Sequence, residues 1–175
     1  MIYNENLKLM ISEADIQRKV TELAVQLSAD YSDKHPVIIS ILKGAFYFAA
    51  DLTRKMTIPI NVDFLAIGLQ PAATNQTAVV GITKDLDISI ADRHIILVED
   101  IIDTGLTLGY LYQNIEARKP ASVKICTLLD KPSLRLVDLD VAYTGFTIPD
   151  ITVVGYGLDY NENYRHLPYI AELKV

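Results

Sequence analysis

The amino-acid sequence predicts an α/β protein with a mostly parallel, twisted β-sheet flanked by helices. Three short runs rich in apolar and β-branched residues, 36–42, 94–100 and 122–130, are typical of buried strands. Stretches with helical periodicity separate these runs, and buried strands that alternate with helices favour right-handed parallel connections. With 175 residues, the chain has the length of one domain around a single core.

The N-terminal part of the chain contains two predicted helices. Ser12 followed by Asp15 resembles a capping box, which is typical of a helix N-terminus. The apolar side chains that follow recur at steps of three or four and indicate an amphipathic helix. These side chains are Ile16, Val20, Leu23, Leu27 and Tyr31. After the strand over residues 36–42, Gly44 opens a second helical stretch over residues 45–56.

The middle of the chain combines strands with a loop and a third helix. Residues 58–69 alternate enough to indicate a half-buried strand. Residues 70–81 mix Pro, Asn, Thr and Gly with small residues, which predicts a mobile loop that enters another strand. The strand over residues 94–100 leads into a helix that ends near Pro120. The apolar stripe of this helix consists of Leu108, Leu111, Tyr112 and Ile115.

The pattern changes beyond Lys131. Two close-set runs, residues 141–148 and 151–159, predict strands with little helix. The sequence contains no internal repeat, low-complexity tract or linker. We therefore expect a single domain over residues 1–175.

Composition and charge exclude several classes of function. The formal net charge is -6 and no basic cluster interrupts it, which disfavours nucleic acid as a partner. No apolar run approaches the roughly 20 residues that span a bilayer, so no membrane partner is expected. The single cysteine, Cys126, lies in an apolar run, which predicts a buried, inert thiol. Because no secretory signal is visible at the N-terminus, we expect a cytoplasmic protein.

Three acids stand at one turn, in the segment "HIILVEDIIDTGLTL". The turn joins a buried strand to a helix, which is where open α/β sheets bind ligands. Gly105 lets the backbone amides face one point, and the helix end with the hydroxyls of Thr104 and Thr107 completes a phosphate site. Glu99 and Asp100 would accept hydrogen bonds from two sugar hydroxyls or help to hold a magnesium ion. A phosphorylated ribose satisfies both halves of the turn.

A purely structural interpretation of the turn is that Asp103 or Thr104 caps the helix and the other acids are solvated. The whole pattern is more specific, and it resembles the phosphoribosyl-pyrophosphate signature of the type I phosphoribosyltransferases. The resemblance covers almost the whole chain and is closest to the hypoxanthine-guanine phosphoribosyltransferases of bacterial type. The segments that carry it are "LMISEADIQRKVTELA", "ILKGAFYFAADL", "VEDIIDTGLTL", "ICTLLDKPSLR" and "VGYGLDYNENYRHLPYI".

The resemblance implies both an architecture and an activity. The fold would be the type I phosphoribosyltransferase fold, with a small hood subdomain formed by the N-terminal segment and by about residues 131–175. The activity would be the Mg²⁺-dependent transfer of the 5-phosphoribosyl group from phosphoribosyl pyrophosphate to hypoxanthine, guanine or both. The products would be IMP or GMP and pyrophosphate, in purine salvage. Relatives form dimers or tetramers, so we expect a homodimer or homotetramer.

The resemblance also assigns residues to the sugar and phosphate side of the site. Glu99 and Asp100 would meet the ribose hydroxyls and, with Asp159, would help to bind Mg²⁺. Arg165 would reach the pyrophosphate. The pyrophosphate loop would consist of Leu42, Lys43 and Gly44, a loop that often has a cis peptide before the lysine. The 5′-phosphate would be surrounded by Thr104, Gly105, Leu106 and Thr107.

On the base side, the resemblance implies that Asp103 is the acid/base at purine N7. Lys131 would donate to the purine O6, and the backbone near Val153 would pair with the ring edge. A lysine at O6 favours a 6-oxopurine over adenine, whose amino group would leave the ammonium unpaired and repelled. Considered singly, Lys131 would be an exposed turn residue and Arg165 a surface residue near the chain end.

The sequence departs from the family pattern in two places. Leu69-Gln70 stands where the family usually has a Ser-Tyr pair at the start of the mobile loop that closes over the active site. The lid contacts would then be rebuilt from Gln70, Thr74 or Gln76. Ile151-Thr152 stands where an aromatic ring usually stacks on the purine, and the loss of a stack is expected to weaken base binding by about 1–3 kcal/mol.

Two other functions compete with this prediction. One is a phosphoribosyltransferase for another base, such as xanthine, guanine alone or a pyrimidine. The other is a regulatory protein that keeps the fold and senses nucleotides without turnover. Intact Lys43, Asp103 and Arg165 argue against the sensor, whereas the missing Ser-Tyr pair favours it.

Overall fold

Two β-sheets and three α-helices form the part of the chain that the computed structural model describes, residues 6–70 and 79–174. The strands are β1 (Leu7–Ile11), β2 (Val37–Leu42), β3 (Asn61–Gln70), β4 (Val79–Lys84), β5 (His94–Ile102), β6 (Ser122–Asp130), β7 (Tyr143–Thr147), β8 (Val153–Val154) and β9 (Ile170–Leu173). The helices are α1 (Glu13–Asp30), α2 (Phe46–Lys55) and α3 (Leu106–Glu116). Most of the predicted loop over residues 70–81, with Thr74 and Gln76, lies outside the described residues.

The larger sheet has six strands in the order β4-β3-β2-β5-β6-β7. The β2–β3, β2–β5, β5–β6 and β6–β7 pairs are parallel, and the β3–β4 pair is antiparallel. The expected mostly parallel α/β sheet is therefore confirmed. Because β5 pairs with a strand on each side, its carboxyl end opens at the middle of the sheet.

The apolar strands of this sheet are buried on both faces. Along β5, Ile96 and Val98 join a core with α1 and α2, whereas Ile95 and Leu97 join a second core with α3. This alternation follows from the two-residue period of a strand. A run with no polar alternation is thus the pattern that a strand with helices on both faces requires.

Helix α1 begins at the predicted cap and buries the predicted stripe. The Oγ atom of Ser12 accepts a hydrogen bond from the backbone N–H of Asp15 at 3.1 Å. All five apolar side chains of the predicted stripe are buried, namely Ile16, Val20, Leu23, Leu27 and Tyr31. The capping residue and the apolar period together define the start of α1 and its packed face.

The smaller sheet brings together the two ends of the described chain in the order β1-β9-β8. The predicted strand over residues 151–159 is mostly wrong, because only Val153–Val154 is regular. Gly155, Tyr156 and Gly157 follow with φ angles of 102°, 51° and 101°, which a strand cannot contain. The predicted strand over residues 141–148 is observed as Tyr143–Thr147 and extends the larger sheet.

Two further predictions can be compared with the structure. Cys126 is fully buried, and burial raises the pKa of its thiol, so it has the environment of an inert cysteine. Among the described residues, no helix is both long and apolar enough to cross a membrane.

Candidate active site

The acidic turn, residues 99–107, lies at the carboxyl end of β5. This strand continues two residues beyond the predicted end, to Ile102. Asp103, Thr104 and Gly105 follow, and α3 begins at Leu106. A pocket of about 240 Å³ opens at this turn. It is lined by Glu99, Asp100, Ile101, Ile102, Asp103, Thr104, Gly105, Thr107 and Leu108. The strand end and the helix start thus enclose the predicted phosphate and sugar positions.

Gly105 gives the turn its shape. Its φ angle of +80° lies in the left-handed region, which glycine adopts without steric cost. The residue stands at the N-cap of α3, and the Oγ1 atom of Thr104 accepts a hydrogen bond from the N–H of Leu106 at 3.4 Å. The positive end of α3 therefore faces the pocket, which suits an anionic phosphate.

Glu99 and Asp100 form a crowded acidic pair on the wall of this pocket. Burial raises the pKa of Glu99 well above its ordinary value, and the neighbouring charge of Asp100 raises it further. Burial also raises the pKa of Asp100, although the hydrogen bond from Glu99 lowers it. Asp100 is buried and Glu99 is partly buried, so ionisation of either carboxyl group makes ionisation of the other less favourable. Ligands that donate hydrogen bonds or bring positive charge would relieve this repulsion.

Lys131 is brought to Asp103 by the register of the sheet. Ile102 of β5 pairs with Asp130 of β6, so the residues that follow the two strands are neighbours. The Nζ atom of Lys131 lies 3.3 Å from Oδ1 of Asp103 and 3.8 Å from Oδ1 of Asp150. Lys131 is only 6% exposed, so the interpretation as an exposed turn lysine is wrong. A buried ammonium must be paired, and these two carboxylates provide the charge.

The loop after β2 approaches the acidic pair from the other side. The Leu42-Lys43 peptide bond is cis, as the resemblance implied. A Cβ atom on Gly44 would overlap Oδ2 of Asp100, so only glycine allows the loop to approach this closely. A second pocket of about 400 Å³ lies here and shares Glu99, Asp100 and Thr107 with the first. Its other lining residues are Ile41, Leu42, Lys43, Gly44, Ile67, Gly68, Asp159 and Arg165.

The C-terminal loop, residues 155–165, contributes Asp159 and Arg165 to this second pocket. The guanidinium of Arg165 contacts Oδ1 of Asp159 at 2.7 Å and donates a hydrogen bond to the carbonyl oxygen of Gly157 at 2.7 Å. Gly157 has a φ of +101°, and a Cβ atom there would overlap the carbonyl oxygen of Gly44. Arg165 is therefore a partly buried member of the pocket wall.

The remaining sequence-predicted residues have different surroundings. Val153 is buried in β8 of the smaller sheet, and its pairing with a purine edge remains a prediction. Thr152, which stands in place of the aromatic residue, is exposed, and its carbonyl oxygen accepts a hydrogen bond from Leu173 at 2.9 Å. The backbone of Leu69-Gln70 belongs to β3, whose partner here is β4.

Three charged residues of the site were missed by the sequence analysis. Asp150 contacts Lys131, and Glu162 contacts both Lys43 and Arg165. Arg135 pairs with Asp130, and its Nη1 atom has no hydrogen-bond partner in the described part of the chain. A Cβ atom on Gly105 would lie 3.3 Å from that Nη1 atom, so the guanidinium packs next to Gly105 of the acidic turn. Their positions depend on contacts between distant segments, for which the sequence offers no periodic signal.

Comparison with known proteins places this geometry in a family. The family model described as "Phosphoribosyl transferase domain" matches residues 12–161. The chain belongs to the phosphoribosyl transferase domain family. A hypoxanthine-guanine phosphoribosyltransferase of Bacillus subtilis is 48% identical over 95% of this chain and 93% of that protein.

Solved structures of relatives share the fold over nearly the full length. A hypoxanthine phosphoribosyltransferase of Staphylococcus aureus aligns with a TM-score of 0.90 at 42% identity, over 97% of this chain and 93% of that one. A hypoxanthine-guanine phosphoribosyltransferase of Bacillus anthracis aligns with a TM-score of 0.87 at 45% identity, over 96% and 97% of the two chains. The expected type I phosphoribosyltransferase fold is thereby confirmed, and the chain is a transferase.

Proposed function

We propose that this phosphoribosyltransferase transfers the 5-phosphoribosyl group from phosphoribosyl pyrophosphate to hypoxanthine, guanine or both, with Mg²⁺, in purine salvage. The observation that carries the proposal is the buried Lys131 ammonium, 3.3 Å from Asp103 beside the phosphate turn. This arrangement sets one cationic donor and one carboxylate at the edge of a sugar-phosphate pocket. Relatives with 42–48% identity are named for hypoxanthine or hypoxanthine and guanine.

The two adjacent pockets fit the two ends of phosphoribosyl pyrophosphate. The amides after Gly105 and the hydroxyl of Thr107 would hold the 5′-phosphate at the start of α3. Glu99 and Asp100, shared by both pockets, would accept hydrogen bonds from the ribose hydroxyls. Lys43 and Arg165 in the second pocket would hold the pyrophosphate.

In the reaction, the bond from ribose C1 to a pyrophosphate oxygen breaks and the bond from C1 to purine N9 forms. Negative charge then develops on the departing pyrophosphate, where Lys43 and Arg165 are placed to stabilise it. Asp103 would accept the proton that the purine loses at N7, as a general base within hydrogen-bond reach. Lys131 would donate to O6 and, through its contact with Asp103, keep base and acceptor aligned.

The residues present also fit a magnesium ion. Glu99 and Asp100 are adjacent carboxyl groups on the pocket wall, and carboxylate oxygens are ligands that Mg²⁺ prefers. No group of three His, Cys, Asp or Glu side chains converges as a metal site among the described residues, and Asp159 is paired with Arg165. Mg²⁺ is commonly held by one or two carboxylates together with substrate phosphates and water. When bound, it would neutralise charge on the pyrophosphate leaving group.

Magnesium dependence is directly testable. Turnover with excess chelator should fall to background, because the protein cations alone face a leaving group with several negative charges. Addition of Mg²⁺ in excess of the chelator should restore it. Full turnover in the chelator would contradict the proposed role of the metal.

The function itself is tested with a panel of bases. The protein is incubated with phosphoribosyl pyrophosphate, Mg²⁺ and each of hypoxanthine, guanine, xanthine, adenine and uracil, while pyrophosphate release and nucleotide formation are followed. Hypoxanthine or guanine should be used, and adenine should be rejected because its amino group would face the Lys131 ammonium. Use of xanthine or uracil alone would assign another base. Nucleotide binding without turnover of any base would indicate the sensor.

We further propose a cytoplasmic homo-oligomer in which the smaller sheet belongs to a hood over the site. Its strands β1, β8 and β9 come from the N-terminal and C-terminal segments. Large apolar side chains remain exposed at the starts of α2 and α3, including Phe46 at 49% and Leu106 at 56%. If these side chains form one contiguous patch, that patch would be a candidate surface for another subunit. Light scattering on the purified protein would distinguish a dimer or tetramer from a monomer.

A further inference from the structure

The carboxylate of Glu162 contacts both cations of the second pocket. Its Oε2 atom lies 3.0 Å from Nζ of Lys43, and its Oε1 atom lies 3.3 Å from Nη2 of Arg165. Lys43 and Arg165 line this pocket together with Asp159. One carboxylate therefore bridges the two positive charges that would hold a pyrophosphate.

The backbone of the C-terminal loop presents Glu162 in this position. The N–H of Glu162 donates a hydrogen bond to Oδ2 of Asp159 at 2.8 Å. Asn161, Glu162 and Tyr164 have φ angles of 52°, 61° and 76°, in the left-handed region that non-glycine residues rarely adopt. Such conformations persist where surrounding contacts favour them. The loop thus turns sharply to bring this side chain back to its cations.

We propose that Glu162 is an internal competitor of pyrophosphate. It would occupy Lys43 and Arg165 when the site holds no pyrophosphate, and it would release both when the anion binds. The inference rests on the proposed function, since it needs a substrate or product with a pyrophosphate group. Glu162 would act only through the two cations and would have no contact with the reacting atoms.

The exposure of the contacts makes this exchange easy. The side chains of Lys43 and Glu162 are 69% and 65% exposed, and exposed ion pairs are weak because water competes with them. Arg165 keeps its contacts with Asp159 and Gly157 when Glu162 leaves. The competitor would therefore lower the affinity for pyrophosphate by a modest factor without displacing the arginine.

Glu162 is charged under the conditions in which the anion binds. The hydrogen bond from Lys43 is the largest cause that lowers the pKa of the Glu162 carboxyl below its ordinary value. The carboxylate therefore stays ionised at neutral pH and is available to compete. A departing pyrophosphate would be replaced by this carboxylate, which would favour product release.

The experiment is titration calorimetry of inorganic pyrophosphate in magnesium buffer. Glu162→Gln should bind pyrophosphate about two- to tenfold more tightly than the wild type, the range expected for two exposed ion pairs. Glu162→Asp keeps the charge but is one methylene shorter, so it should lose the bridge and bind more tightly as well. Glu22→Gln on α1 is the matched control, since Glu22 is an exposed carboxylate paired with Lys19 outside the site. Its affinity for pyrophosphate should be unchanged.

Kinetics provide a second readout. In Glu162→Gln the KM for phosphoribosyl pyrophosphate should fall, with kcat unchanged or lower, because the competitor is removed and release is slowed. A residue that merely held the cations in place would give the opposite result, a higher KM. IMP, which has no pyrophosphate group, should bind equally to the wild type and the variant.

Three results would overturn the proposal. Weaker pyrophosphate binding in Glu162→Gln would make Glu162 a support for the cations. Wild-type affinity in Glu162→Asp beside tighter binding in Glu162→Gln would show that the local charge acts without the bridge. Equal affinity in all variants would show that the pairs do not compete. A wild type that binds neither pyrophosphate nor phosphoribosyl pyrophosphate would instead contradict the proposed function itself.

Discussion

The two halves of the site are held in place by different forces. The acidic turn, residues 99–107, continues the central strand β5, which is paired on both sides and buried between two apolar cores. The C-terminal loop, residues 155–165, has a short strand before it and several residues at positive φ. It is attached by the close approach of Gly157 to Gly44 and by ion pairs at its tip.

This difference matches the two kinds of work in the proposed reaction. Proton transfer and sugar binding need groups fixed within tenths of an ångström, which a buried sheet provides. Pyrophosphate must be released in each turnover, and exposed charges, whose ion pairs are weak, can exchange partners to allow this. Variants in the two regions should therefore fail in different ways.

A large effect is expected at the junction between the two regions. Gly157→Ala places a Cβ atom against the carbonyl oxygen of Gly44 at a φ of +101°, so either the C-terminal loop or the loop of residues 42–44 must shift. A displacement of about 1 Å at a catalytic site can lower the rate by about 100-fold, and we expect a loss of this size in kcat/KM for phosphoribosyl pyrophosphate. Steady-state kinetics with the substrate varied would measure it.

Gly109→Ala is the matched control for this variant. Gly109 lies in α3, and a Cβ atom there would meet a side-chain methyl of Val137 at 3.3 Å, which can move aside. Its activity should remain near that of the wild type. Equal losses in both variants would show that the Gly157 contact has no special role.

A smaller effect is expected on the base side of the acidic turn. Lys131→Ala removes the ammonium beside Asp103, so affinity for hypoxanthine or guanine should fall by about tenfold or more, the usual cost of a lost hydrogen bond to a charged group. Affinity for phosphoribosyl pyrophosphate should change little, because Lys131 lies outside the pyrophosphate pocket. Lys124→Ala serves as control, because it removes a partly exposed lysine that lies on β6, the strand before Lys131, and pairs with Asp140. Equal losses for both ligands in Lys131→Ala would remove Lys131 from the base pocket.

The smallest effect is on stability and concerns the acidic pair. Burial raises the pKa of Glu99 in the folded protein above its ordinary value of 4.5. Between these two pKa values, which define a window of pH, the folded state binds more protons than the unfolded chain. Stability should then fall as pH rises through the window. Glu99→Gln has no proton to lose, so its melting temperature at neutral pH should exceed that of the wild type by about 2–4 °C, while activity falls. Thermal melts from acidic to neutral pH would measure the difference, and a lower melting temperature at neutral pH would contradict it.

The two regions also differ in how far the sequence predicted them. The strand at residues 94–100, the turn at Gly105 and the helix after it were predicted, since burial, glycine and apolar period are local signals. The prediction of a regular strand over residues 151–159 was wrong, because Gly155 and Gly157 have positive φ angles. At these positions the backbone lies close to Tyr169 and Gly44, respectively. Local sequence patterns carry no information about such distant contacts.

The same limit applies to individual side chains of the site. Lys131 was predicted to be in the site only through the family resemblance, because its burial follows from the β5–β6 register. Glu162 was missed because its partner Lys43 is 119 residues away. The residue types indicated the chemistry of the proposed site, whereas the contacts between its side chains could be seen only in the folded structure.

The central claim is that the acidic turn is a catalytic centre with Asp103 as the general base. Asp103→Asn keeps the size of the side chain and caps a helix about as well, but it cannot accept a proton from N7. The measurement is the turnover number of this variant, alongside nucleotide affinity and melting temperature. We expect turnover to fall by about 100-fold or more, with nucleotide binding and melting temperature nearly unchanged. An unchanged turnover number would refute the catalytic role, and a collapse of the melting temperature would show that Asp103 is structural.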